Sequence, residues 1–128
     1  MAHDILDAVI DRIIPADEDP GAIALGTPGY VRARLALDLA LARRIETGLS
    51  ALTGFAGMDT AARDAALVAI EDQSWFAELA ELTAEGFWAD PGNGGNHGAG
   101  SWAIIGYRHG LPRGPGDPMP QVDDARQV

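Results

Sequence analysis

Apolar residues recur at helical spacing through most of this chain. Ile5, Leu6, Val9, Ile10, Ile13 and Ile14 fall on one face of a helix over 4–14, with Asp7 and Asp11 opposite. Asp4 and Asp7 near its start suit the positive end of the helix dipole, and Pro15 stops it. Two prolines, a glycine and three consecutive acids between Pro15 and Gly21 predict an exposed loop. A short apolar piece, Ala22 to Leu25, follows. Thr27 as N-cap and Pro28 in the first turn then open a long helix, expected to run to Leu52. Between Leu35 and Leu41 its apolar positions nearly encircle the axis, which predicts burial on more than one face. Asp59 or Thr60 caps a further helix to Asp72, with Ala62, Ala66, Leu67 and Ile70 as its stripe. Ser74 caps the next, Trp75 to Trp88, with Phe76, Leu79, Leu82, Phe87 and Trp88 inward and Glu78, Glu81 and Glu85 outward.

The pattern breaks at Asp90. Five glycines fall between Asp90 and Gly100, too many for a regular element. A short apolar piece, Trp102 to Tyr107, comes after it, and the last twenty residues hold four prolines without periodicity. The expectation is an all-α fold, a small bundle of four to five helices with an irregular Gly/Pro-rich C-terminal third. Residues 1–107 form the helical domain and 108–128 an extended tail.

Composition narrows the chemistry. The chain has 128 residues, room for one core, and no apolar run approaches the ~20 residues a spanning helix needs. Acids outnumber bases 19 to 9, for a net charge of -10. Such a surface is a poor match for nucleic acid or anionic lipid, which need clustered cations. Every base is Arg, and the absence of Lys removes Schiff-base and P-loop chemistry from this chain. The absence of Cys removes disulfides, thiolate nucleophiles and Cys-held iron–sulfur clusters.

Candidate reactive groups are few. The glycine-rich stretch lacks both the preceding strand and the spacing of a dinucleotide loop. His3, His97 and His109 show no helical metal-site spacing. The acids Asp17, Glu18 and Asp19 lack the ligand spacing of a calcium loop. Trp75, Phe76, Phe87, Trp88, Trp102 and Tyr107 crowd one third of the chain, where aromatics serve a core, an interface or both. A small enzyme using His97 and Asp90, and a free-standing helical module for a small ligand, stay open as alternatives on these residues alone.

Two segments carry a family resemblance. One is Asp11-Arg12-Ile13-Ile14-Pro15-Ala16-Asp17 with Pro20-Gly21-Ala22. The other runs from Trp75 through Glu85-Gly86-Phe87-Trp88-Ala89-Asp90-Pro91 to Gly94-Gly95-Asn96, Trp102 and Ile105-Gly106-Tyr107. In this order they resemble the gluconate 2-dehydrogenase subunit 3 family, over both ends of about 107 residues. The resemblance implies a non-catalytic small subunit. Its partner would be a large FAD-dependent oxidoreductase of the glucose–methanol–choline type, acting on sugars, sugar acids, polyols or glycosides. Some such complexes add a cytochrome c subunit. No cofactor is then expected in this chain, and FAD belongs to the partner.

The same resemblance places Trp88, Asp90, Pro91, Gly94, Gly95, Asn96 and Trp102 at or under the partner interface. Asn96 would bond exposed backbone, glycines would allow close approach, and the tail beyond Leu111 would lie across the partner. Many family members carry a twin-arginine leader. Met1-Ala2-His3-Asp4 encodes none, so the expected location is cytoplasmic, or periplasmic where a leader has been removed.

Overall fold

The computed structural model describes residues 3–106. Helix α1 spans His3–Ile13, α2 Thr27–Ala36, α3 Leu39–Ser50, α4 Thr60–Val68, α5 Ser74–Phe87 and α6 Gly100–Ile104. Single 3₁₀ turns stand at Phe55–Gly57, Pro91–Asn93 and His97–Ala99. The expectation of a small all-α bundle holds, with six helices among the described residues where four or five were expected. No helix among the described residues is long and apolar enough to cross a membrane.

Helix α1 buries the stripe read from the sequence, with Leu6, Val9 and Ile10 fully enclosed. At its end the chain turns back on itself, and the Ala22 N–H donates to the Ile14 carbonyl at 2.9 Å. Gly21 makes that return possible. A Cβ there would stand 2.5 Å from the Ala16 nitrogen and 2.7 Å from the Ile14 oxygen.

The long helix expected over 28–52 is two helices. Leu37 and Asp38 leave the helical path, and Asp38 (φ -142°, ψ 87°) caps α3 by accepting from the Leu41 N–H at 3.1 Å. The break lets both halves pack on α5, which contacts α2 and α3 more than any other element does. A straight helix of that length would extend well past the roughly 21 Å of a 14-residue α5. The predicted burial around Leu35–Leu41 is corrected with it. Leu37 is 84% exposed and Leu39 65%, because both sit on the outside of the corner.

Three smaller corrections concern helix starts and one helix end. The residue ahead of α2 is Gly26 in the left-handed region (φ 76°), so Thr27 is the first helical residue and its buried hydroxyl caps nothing. Gln73, not Ser74, precedes α5, and its side-chain oxygen accepts from Trp75 Nε1 at 2.7 Å. Asp59 does cap α4, accepting from the Ala62 N–H at 2.8 Å. That helix ends at Val68, and turns carry the chain through 69–73.

The core gathers α1, α2, α3 and α5 with Leu52, Phe55 and Leu67. Two glycines act as seats for large rings, which sets how closely the helices approach. A Cβ on Gly48 of α3 would overlap the Trp75 ring, and one on Gly86 of α5 would stand 2.6 Å from Tyr30 Cδ1.

Arginines tie the helices at their edges. Arg12 of α1 forms a two-toothed pair with Asp64 of α4, at 2.8 and 3.1 Å. Arg44 of α3 grips Glu78 of α5 the same way, at 3.1 and 2.8 Å. Arg34 of α2 donates to Glu85 at 3.1 Å and to the Tyr30 hydroxyl at 3.0 Å, and Arg32 pairs with Asp7. Arg63 donates to the carbonyls of Phe55 and Ala56. The guanidinium beside each holds the Asp64 and Glu78 carboxyls below the usual carboxylate range, first through the hydrogen bond.

Candidate partner-docking face

Past α5 the glycine-rich segment folds into two tight turns and locks onto the bundle. Trp88 ends α5, its N–H donating to the Ala84 carbonyl at 3.1 Å. Its ring stacks edge-on against Phe87, with centroids 5.1 Å apart. Asp90 is exposed, and its carboxylate accepts from the Gly92 N–H at 2.9 Å, capping the turn that Pro91 begins. Gly94 (φ 93°) reverses the chain in a conformation that disfavours any side chain.

Gly95 then meets the bundle directly. A Cβ on it would lie 2.5 Å from the Gly86 carbonyl oxygen and 3.2 Å from Tyr30 Cβ. Gly86 and Gly95 thus form one close passage between α5, the loop and the Tyr30 side chain. Asn96 comes next, fully buried and itself left-handed at φ 50°. Its Nδ2 donates to the Ala89 carbonyl at 2.8 Å, and its Oδ1 accepts from the Ser101 N–H at 2.9 Å. The sequence reading offers this amide to exposed backbone. The structure spends it on the chain's own, joining the end of α5 to the start of α6.

Two further contacts fix the segment. The His97 N–H donates to the Leu25 carbonyl at 3.0 Å, and its ring lies over Gly26, where a Cβ would stand 2.0 Å from His97 Cε1. Trp102 Nε1 donates to the Trp88 carbonyl at 3.1 Å. Trp88, Asp90, Pro91, Gly94, Gly95, Asn96 and Trp102 therefore belong to one folded cap at the end of α5. Within it Gly95 and Asn96 are buried, Pro91 and Trp102 half-buried, and Trp88, Asp90 and Gly94 exposed. Trp88, expected inward, stands one residue past the end of α5 and is 43% exposed.

The outward side of this cap includes large apolar side chains. Trp88, Ile104 and Ile105 are all exposed large apolar residues, the last at 63%. Both isoleucines belong to the short apolar piece between Trp102 and Tyr107, whose pattern does not say which side faces out. No periodicity in so short a helix could do so. Tyr107 and the tail over 108–128 lie outside the described residues.

His97 and Asp90 each have a local task in this geometry, one over Gly26 and one as a turn cap. Among the described residues no three His, Asp or Glu side chains converge as metal ligands would. A cleft of about 310 Å³ between α3 and α5 has Arg34 and Glu85, and Glu78, engaged in ion pairs along its rim.

Fold and site define a small all-α protein whose glycine-rich loop is pinned inward and carries an apolar cap outward. The chain belongs to the gluconate 2-dehydrogenase subunit 3 family, whose model matches residues 2–110. No curated protein and no solved structure matches it.

Proposed function

We propose that this chain is the non-catalytic small subunit of a flavin-dependent sugar, sugar-acid or glycoside dehydrogenase. It binds and stabilises a large FAD-containing subunit of the glucose–methanol–choline type, which carries the chemistry; a cytochrome c subunit completes the electron path in complexes that have one. The observation that carries the reading is the cap. Trp88, Ile104 and Ile105 expose apolar surface on a platform fixed by Asn96, Gly95 and the Trp102–Trp88 hydrogen bond. Exposed aromatic and aliphatic side chains on a pre-organised surface are the kind that anchor protein interfaces.

The test is co-purification of the full chain from its source. A yellow, flavin-containing partner of several hundred residues is expected. The Trp88→Ala and Ile105→Glu variants should keep the melting temperature of the free chain and lose the partner. A lone, colourless chain, or pairing unchanged in both variants, overturns the reading.

A further inference from the structure

The chain holds two asparagines, Asn93 and Asn96, in the same loop. They meet opposite surroundings. Asn96 is fully buried, and both ends of its amide are bonded, to the Ala89 carbonyl and the Ser101 N–H. The N–H that follows it, that of His97, is held by the Leu25 carbonyl at 3.0 Å. Asn93 is exposed and closes the turn that Pro91 begins. Its carboxamide has no hydrogen-bond partner among the described residues. Gly94 follows, exposed as well, and its N–H donates to the Pro91 carbonyl at 3.3 Å, beyond the usual length of such a bond. The space around Gly94 is open. A Cβ there would meet nothing but its chain neighbours within 4 Å.

A free carboxamide followed by an unhindered glycine N–H can cyclise on its own main chain. We propose that Asn93–Gly94 is a self-modification site, at which the cap ages by deamidation. The Gly94 nitrogen attacks Asn93 Cγ and forms a C–N bond. The side-chain nitrogen leaves as ammonia, taking the proton that the Gly94 nitrogen gives up. Water then opens the cyclic imide at either carbonyl. One opening leaves aspartate at 93. The other leaves isoaspartate, in which the main chain runs through Cβ and is one atom longer. Only water is consumed. Position gives the change its consequence. The Asn93 N–H donates to the Asp90 carbonyl at 2.8 Å, and Gly94 (φ 93°) reverses the chain into Gly95 and Asn96. An extra backbone atom at 93 shifts that reversal. It draws Gly95 away from its passage beside Gly86, and Asn96 away from its two bonds.

The inference does not depend on which protein the cap binds. The test is a time course on the folded, full-length chain in mildly acidic and mildly alkaline buffer. Peptide mapping by mass spectrometry, with chromatography to separate aspartate from isoaspartate, reads the products. Position 93 should gain acid, faster in alkali because the attack needs a deprotonated nitrogen, with isoaspartate among the products. Position 96 should keep its amide over the same time. Asn93→Gln, which would have to close a larger ring, should stop the conversion. The isoaspartate fraction should melt several degrees below the fresh chain, while Asn93→Asp, which adds the charge without the extra atom, should melt close to it. Conversion at 96 ahead of 93 overturns the inference. So does a folded chain that stays unchanged while the urea-unfolded chain converts at 93, since the fold would then shield the site. An isoaspartate fraction that melts with the fresh chain overturns the consequence for the cap.

Discussion

Asn96 shows how much one side chain can settle. A left-handed backbone is tolerated by Asn better than by most residues, and the amide offers both a donor and an acceptor. The structure uses all three properties at a single buried position. Asn96→Ala would leave the Ala89 carbonyl and the Ser101 N–H unsatisfied and would strain the turn. The expected cost is about 2–4 kcal/mol, read as a fall of roughly 10–20 °C in the melting temperature by calorimetry. Asn96→Asp keeps the acceptor for Ser101 but presents a charge to the Ala89 carbonyl, so it should rescue little. A melting temperature for Asn96→Ala within a degree or two of the wild type would show that the cap is not held this way. The motif singles out Asn96 but does not show which backbone groups its amide bonds. Its real partners lie seven and five residues away, across a loop without periodicity. Gly95 was legible as a site of close approach, and the neighbour turned out to be Gly86 and Tyr30.

Among the helices, α1 and α5 could be read to within a residue or so, because a one-sided apolar stripe and a helix-breaking end coincide. The corner at Leu37–Asp38 could not. Leucines on both sides continue the helical pattern, and the break, with Asp38 as cap, belongs to a packing in which α2 and α3 both lie on α5. The starts of α2 and α5 differ from the caps the sequence suggests at Thr27 and Ser74 for a related reason. Gly26 supplies a left-handed entry, and Gln73 is engaged by the Trp75 ring nitrogen, choices made by packing. The arginine ties make the helix assembly sensitive to acid. Asp64 and Glu78 are held low by Arg12 and Arg44, so each binds its proton more readily in the unfolded chain than in the folded one. Their contribution is complete above the ordinary carboxylate range and is lost as pH falls through their lowered folded values. The melting temperature should therefore drop below about pH 4, and Asp64→Asn with Glu78→Gln should flatten that drop. An acid slope unchanged in the double variant would place the sensitivity elsewhere.

The whole molecule joins an apolar cap to an acidic shell. Fold class and the family were both legible from the chain, since stripes and motifs are local. The placement of Ile104 and Ile105 was not, because exposure is decided by what α6 packs against. The arginine ties have an effect beyond holding helices together. With Arg12, Arg32, Arg34 and Arg44 committed to particular carboxylates, the remaining acids, Asp17, Glu18, Asp19, Glu71, Asp72 and Glu81 among them, dominate what an approaching copy meets. Like charges at close range oppose association, and salt removes that opposition. Light scattering of the free chain should show monomers at low ionic strength and growing self-association as salt is raised. Scattering that stays flat across the salt range would mean that charge plays no part. The ion pairs thus act as a colloidal safeguard. By engaging Arg12, Arg32, Arg34 and Arg44, they leave a net repulsive surface beside which a sticky cap can remain uncovered in solution.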